Sequence, residues 1–164
     1  MVIYTITDWL GFVPIFICLI FAGIGLVQLI QRKNLFKVDS DILVLGIYYI
    51  IVIFGYLLFE MIPINYRPIL IDGFMEASYP SSTTLLVLSV MPTLWFQAKR
   101  RMKNEILLKY VCVFSALFSI FMVIGRTVAG VHWLTDIIGS ILLSTGLFLL
   151  YRAIVLLIDE KAKA

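Results

Sequence analysis

Five apolar runs, each about as long as a membrane is thick, leave this chain few ways to fold: Leu10–Ile30, Ile42–Ile62, Ser81–Gln97, Ile106–Ile124 and Ile137–Ile158. The hydrocarbon core of a bilayer is about 30 Å thick and a helix rises about 1.5 Å per residue, so roughly 20 residues cross it. Hydrophobic residues make up 62% of the sequence, charged ones 14%, and mean hydropathy is +1.07, which excludes an ordinary soluble domain and points to an integral membrane protein. The third run is the shortest and carries Pro92, but strongly polar flanks mark it as a span. The runs and their loops use up all 164 residues. The expectation is an all-α polytopic membrane bundle of five transmembrane helices, one domain over residues 1–164. Met1–Trp9 has no basic residue and carries Asp8, so the first run reads as a retained helix and not as a signal peptide. Cys18 and Cys112 lie inside apolar runs, where a thiol behaves as a small hydrophobe.

Orientation follows Lys and Arg in short loops. One side collects Arg32, Lys33 and Lys37, then Lys99, Arg100, Arg101 and Lys103, then Arg152, Lys161 and Lys163, with Lys109 free to snorkel toward them. The other side keeps only Arg67 and Arg126. This predicts the N-terminus outside and the C-terminus in the cytoplasm, as in a bacterial-type plasma membrane. It also singles out two arginines that need a local reason to be where they are.

The outward side carries the chain's one histidine, in Gly125-Arg126-Thr127-Val128-Ala129-Gly130-Val131-His132-Trp133-Leu134-Thr135-Asp136. If a helix begins after Gly130, His132 and Asp136 stand at i and i+4 on one face, and the carboxylate can hold one imidazole nitrogen while the other faces a substrate. The planar fork of Arg126 suits a phosphate. The longest loop, Pro63–Pro80, lies on the same side, holds Arg67-Pro68, Asp72 and Glu76, and leads into Pro80-Ser81-Ser82-Thr83-Thr84. The open amides and dipole of a helix start favour an anion, although Ser and Thr also begin helices as simple caps. Tyr79 and Trp133 read first as interfacial anchors, and Gly23, Gly25, Gly139 and Gly146 as points of close helix approach.

Together these elements resemble the type 2 phosphatidic acid phosphatase family. That family is marked by a lysine followed after six residues by Arg-Pro, by Pro-Ser-Gly-His, and by Ser-Arg with five residues to a His and three more to an Asp. Arg126, His132 and Asp136 match the third motif in spacing, with Gly125 in the place of its serine. The resemblance implies that His132 attacks phosphorus and is transiently phosphorylated, that Asp136 orients it, and that Arg67, Arg126, Ser81 and the amide of Ser82 hold the phosphate oxygens. It implies no metal and no cofactor. The partner is a lipid phosphate or diphosphate in the membrane, and no nucleic acid.

Two positions depart from the pattern. Glu60 stands where the family has its lysine, and Thr83 where it has the histidine that protonates the leaving group. General acid help contributes about 10²–10⁴-fold, and threonine has no useful acidity near neutral pH. Three readings follow. A diphosphate substrate, such as a polyprenyl diphosphate, releases a phosphate monoester and needs the acid less. Glu76 or Glu60 supplies the proton instead. Or the protein binds lipid phosphates without turnover. Phosphatase activity ranks first.

Overall fold

The computed structural model describes residues 2–71 and 73–163, which leaves Asp72 outside the described residues. Among the described residues six helices follow one another: α1 (Val2–Leu10), α2 (Phe12–Arg32), α3 (Ser40–Met61), α4 (Ser82–Arg101), α5 (Glu105–Val128) and α6 (Leu134–Lys161), with a 3₁₀ turn at Leu35–Lys37. The protein is an all-helical membrane bundle. Val2–Arg32, Ser40–Met61, Glu105–Val128 and Leu134–Lys161 are long and apolar enough to cross a bilayer. Their outward faces carry Ile50, Phe54, Leu117 and Leu142, all exposed, as lipid-facing residues are.

The helix with the weakest apolar signal, α4, is the centre of the bundle. It packs against α2, α3, α5 and α6. Eleven of its 20 residues are buried, so its surroundings are protein and not lipid, and polar side chains are tolerated where neighbours satisfy them. The Tyr48 hydroxyl donates to the Ser89 carbonyl at 2.9 Å, and Tyr49 and Thr93 share a 2.7 Å hydrogen bond. Gln97 donates to the Tyr151 hydroxyl at 2.7 Å. The helix runs unbroken through Pro92. Val87, Val90, Met91 and Met122 form the apolar heart around it.

The basic ends of the helices gather at one end of the bundle. Arg100 bonds Asp41 and Asp159, Arg101 bonds Asp39 and Asp41, and Arg32 bonds Asp39. The opposite end holds the Pro63–Pro80 loop and the α5–α6 turn. That loop is tied into a short antiparallel pairing: Tyr66 bridges Ala77, the Arg67 N–H donates to the Glu76 carbonyl at 3.1 Å, and the Ser78 N–H to the Asn65 carbonyl at 3.0 Å.

Three sequence expectations change. Helix begins at Val2 and not at Leu10, and α1 packs on α5. His132 is not on a helix: Gly130, at φ +67, turns the chain out of α5, and α6 starts only at Leu134. The glycines divide by role. A Cβ at Gly23 or Gly146 would meet nothing, so neither marks a close helix approach. A Cβ at Gly139 would stand 2.3 Å from the Tyr79 ring, which lies on α6 there and edge-on to Phe59. Gly139→Ala is therefore expected to destabilise the protein by about 1–3 kcal/mol, the usual cost of overpacking. Thermal unfolding in detergent should show this, and Tyr79→Ala in the same chain should remove most of the added penalty.

Candidate active site

His132, Arg67, Arg126, Ser81, Thr83 and Asp136 are all brought to the end of the bundle opposite the ionic cluster, and all are buried or nearly so. The His132 ring is held from one side. Its Nδ1 lies 3.1 Å from the Ser78 carbonyl and 3.2 Å from the Ser78 hydroxyl. That hydroxyl donates to Asp136 Oδ2 through a short hydrogen bond. A carbonyl can only accept, and the hydroxyl proton is committed to the carboxylate, so Nδ1 carries the imidazole proton. The lone pair is then on Nε2, which is buried with no partner among the described residues.

Asp136 thus meets His132 at one remove. Its Oδ2 is 3.9 Å from Nδ1, beyond hydrogen-bond reach, so the two residues stand together as the sequence suggested but without a direct hydrogen bond. The carboxylate is fully buried and satisfied by other donors: Asn65 Nδ2 at 2.9 Å, the Trp133 N–H at 3.0 Å and the Ser78 hydroxyl. As the third residue of α6 it also sits in the positive field of that helix start. Trp133 Nε1 donates to the Tyr66 carbonyl at 2.8 Å and pins the loop to the α6 start, so its indole is a structural tie as well as an exposed ring.

Burial pushes the His132 pKa down to about 4, and the nearby charges of Arg67 and Arg126 push the same way, against the smaller opposing effects of Asp136 and the Ser78 carbonyl. The imidazole is neutral at physiological pH with its free nitrogen unprotonated. If turnover needs that neutral nitrogen, the acid limb of kcat/KM should fall near pH 4 and not near the ordinary histidine value of about 6.5. A pH–rate profile checks this; a limb near 6.5 would mean that the ring is far more hydrated than this geometry allows.

The two arginines are built differently. Arg67 forms an ion pair with Glu76 at 2.9 Å through Nη2, but its Nε and Nη1 are buried with no acceptor among the described residues. Arg126 donates from Nη2 to the Thr83 hydroxyl at 2.6 Å and reaches Asp8 Oδ1 at 3.4 Å, while Nη1 reaches the Thr7 hydroxyl at 3.4 Å. Its guanidinium lies over the Tyr4 ring, 5.1 Å from the centroid, and its Nε has no partner. Buried guanidinium N–H groups without acceptors are costly and unusual. Three such groups, near the open Nε2 of a neutral histidine, are donors that an anion can satisfy.

The α4 start adds main-chain donors. Its first intrahelical bond runs from the Leu85 N–H to the Ser81 carbonyl, so the amides of Ser82, Thr83 and Thr84 precede the ladder. Ser81 itself is a fastening point: its hydroxyl donates to Thr84 Oγ1 at 3.0 Å, its N–H reaches the Asp136 carbonyl at 3.4 Å, and its carbonyl accepts from Ser140 at 3.1 Å. Of the two substitute acids suggested by the sequence, Glu76 is tied to Arg67. Glu60 is exposed on α3 and forms no ion pair among the described residues.

Sequence reasoning passed over Ser78, Asn65, Thr7 and Asp8. Ser78 and Asn65 flank named motifs, two residues from Pro80 and from Arg67, but only the pairing of the loop's two halves shows that they converge. Nothing in the local pattern around Thr7 and Asp8 announces that α1 reaches Arg126.

Beside this cluster lies a cavity of about 470 Å³ between α2, α3 and α4. Asp8, Ser82 and Thr83 line it together with the apolar Phe12, Ile15, Val52, Ile53, Leu86 and Val90. Phe12, Ile15 and Ile53 are exposed on the lipid-facing side.

Comparison with known proteins agrees with this architecture. A crystal structure described as the first transmembrane PAP2-type phosphatidylglycerolphosphate phosphatase, from Bacillus subtilis, shares the fold with a TM-score of 0.55, over 93% of this chain and 78% of that one, at 24% sequence identity. No curated protein matches the sequence. The PAP2 superfamily model matches residues 48–158, from the middle of α3 to near the end of α6, and so takes in both arginines, the α4 start and the His132 turn. The chain belongs to the PAP2 superfamily.

Proposed function

We propose that the protein is a lipid phosphatase acting on a membrane-embedded phosphate or diphosphate through a phosphohistidine at His132. The observation that carries this reading is the set of buried, unpartnered groups: Nε2 of His132, Nε and Nη1 of Arg67, and Nε of Arg126. Nε2 attacks phosphorus, the guanidiniums and the α4 amides take up charge on the phosphoryl oxygens, and Ser78 with Asp136 supports the imidazolium that forms. The cavity beside Thr83 accepts the hydrocarbon chain, which keeps the substrate in the bilayer while its headgroup enters from water. A polyprenyl diphosphate fits best, because the group that departs is a phosphate monoester and position 83 offers no acid. The gathering of basic residues at the other end of the bundle supports a site on the extracytoplasmic face.

Phosphate release by purified protein in detergent tests the reading, on polyprenyl diphosphate, phosphatidylglycerophosphate and phosphatidate. The diphosphate should be turned over fastest. A second reading, binding without turnover, draws on Thr83, whose hydroxyl is taken up by Arg126. Tight binding of the diphosphate with no release above the His132→Ala background would favour it.

A further inference from the structure

The first helix lies outside the matched family region and yet closes on the site. Its fit depends on the glycine that stands where the third motif departs from the family pattern. A Cβ at Gly125 would stand 2.7 Å from Thr7 Cγ2, so serine at 125 would crowd Thr7. Thr83 lies beside the same stretch of chain, with its Cγ2 in ordinary contact range of a Cβ at Gly11. With Gly125 in place, α1 comes down far enough to bring Asp8 to Arg126. The same Nη2 that donates to Thr83 at 2.6 Å lies 3.4 Å from Asp8 Oδ1. Asp8 and Thr83 also both line the cavity. The Asp8 carboxylate is thus one guanidinium nitrogen away from the position that lacks an acid–base side chain. Its side chain is 56% exposed, so water has access to it. Glu76 and Glu60 share no partner with Thr83.

The geometry points to Asp8 as the general base of the second half-reaction, the group that deprotonates the water attacking phosphohistidine; this rests on the phosphohistidine reading. An ionised carboxylate accepts protons and donates none, which suits this step, whereas release of a lipid phosphate in the first step needs no proton. In the second step the water oxygen bonds to phosphorus as its proton passes to Asp8. The P–Nε2 bond breaks and its electron pair returns to the ring, which keeps its Nδ1 proton. Inorganic phosphate leaves, and Asp8 gives the proton to solvent.

The test follows each half-reaction with substrate labelled in its terminal phosphate. Asp8→Asn should form phosphoenzyme within about tenfold of the wild-type rate and hydrolyse it about 10²–10⁴-fold more slowly, so that an acid-labile, base-stable phosphohistidine accumulates. Asp8→Glu, which keeps the carboxylate, should restore turnover. Hydrolysis of the Asp8→Asn phosphoenzyme at the wild-type rate overturns the assignment and leaves the function standing. Equal loss in both half-reactions overturns it too, and reduces Asp8 to a group that positions Arg126. Absence of any phosphoenzyme in the wild type overturns the phosphohistidine reading, and this inference with it.

Discussion

His132→Ala is expected to abolish phosphate release, by roughly 10⁶-fold, the order seen when the nucleophile of a covalent mechanism is removed. The size follows from the absence of a replacement, since the chain has one histidine and, among the described residues, its Nε2 is the one unpartnered imidazole nitrogen beside the unpaired guanidinium N–H groups. The fold should survive, because the ring's only hydrogen bonds are to Ser78, and the loop keeps its ties through Asn65, Trp133 and the Tyr66–Ala77 bridge. Measuring release together with thermal unfolding separates the two effects. Wild-type release by the variant would sink the enzyme reading outright. Ser78→Ala is the companion probe. It removes the hydroxyl bridge to Asp136 but keeps the carbonyl that accepts the Nδ1 proton, so its loss should be much smaller.

Arg126→Lys should cost about 10²–10³-fold in kcat, the magnitude found for removing one donor to transition-state charge. The charge is kept, so the loss would come from geometry. The guanidinium bonds Thr83 through Nη2, reaches Thr7 through Nη1, stacks on Tyr4 and still has a free Nε. An ammonium is a single point and cannot hold α1 and α4 while also offering an N–H to phosphate. Single-turnover measurement of phosphoenzyme formation reads the effect directly. A loss below about threefold would mean that Arg126 is a strut for α1 and carries no transition-state charge.

The bundle was legible because lipid leaves little choice: an uninterrupted apolar helix must form wherever the chain crosses. The same reasoning understated α4, whose Ser89, Thr93 and Gln97 lower its hydropathy because it faces four helices and no lipid. The gathering of Arg126, His132 and Asp136 at one end of the bundle was legible from their spacing. The lack of a direct His132–Asp136 hydrogen bond was not, since that spacing assumes a helix that already includes His132. Gly130 and the α6 start at Leu134 place the histidine in a turn, and the buried carboxylate turns to Ser78, Asn65 and the Trp133 amide instead.

By itself, then, the sequence determined a membrane-spanning helical bundle with a histidine and two arginines at the end opposite its basic cluster, because hydropathy and charge placement act along the chain. Only the tertiary structure decided the tautomer of His132, set by a residue 54 positions away, and the approach of Asp8 to Arg126 across 118 positions. Those hydrogen bonds depend on how helices and loops pack at one end of the bundle. Close approach at Gly125 governs that packing, and no local pattern around Asp8 encodes it.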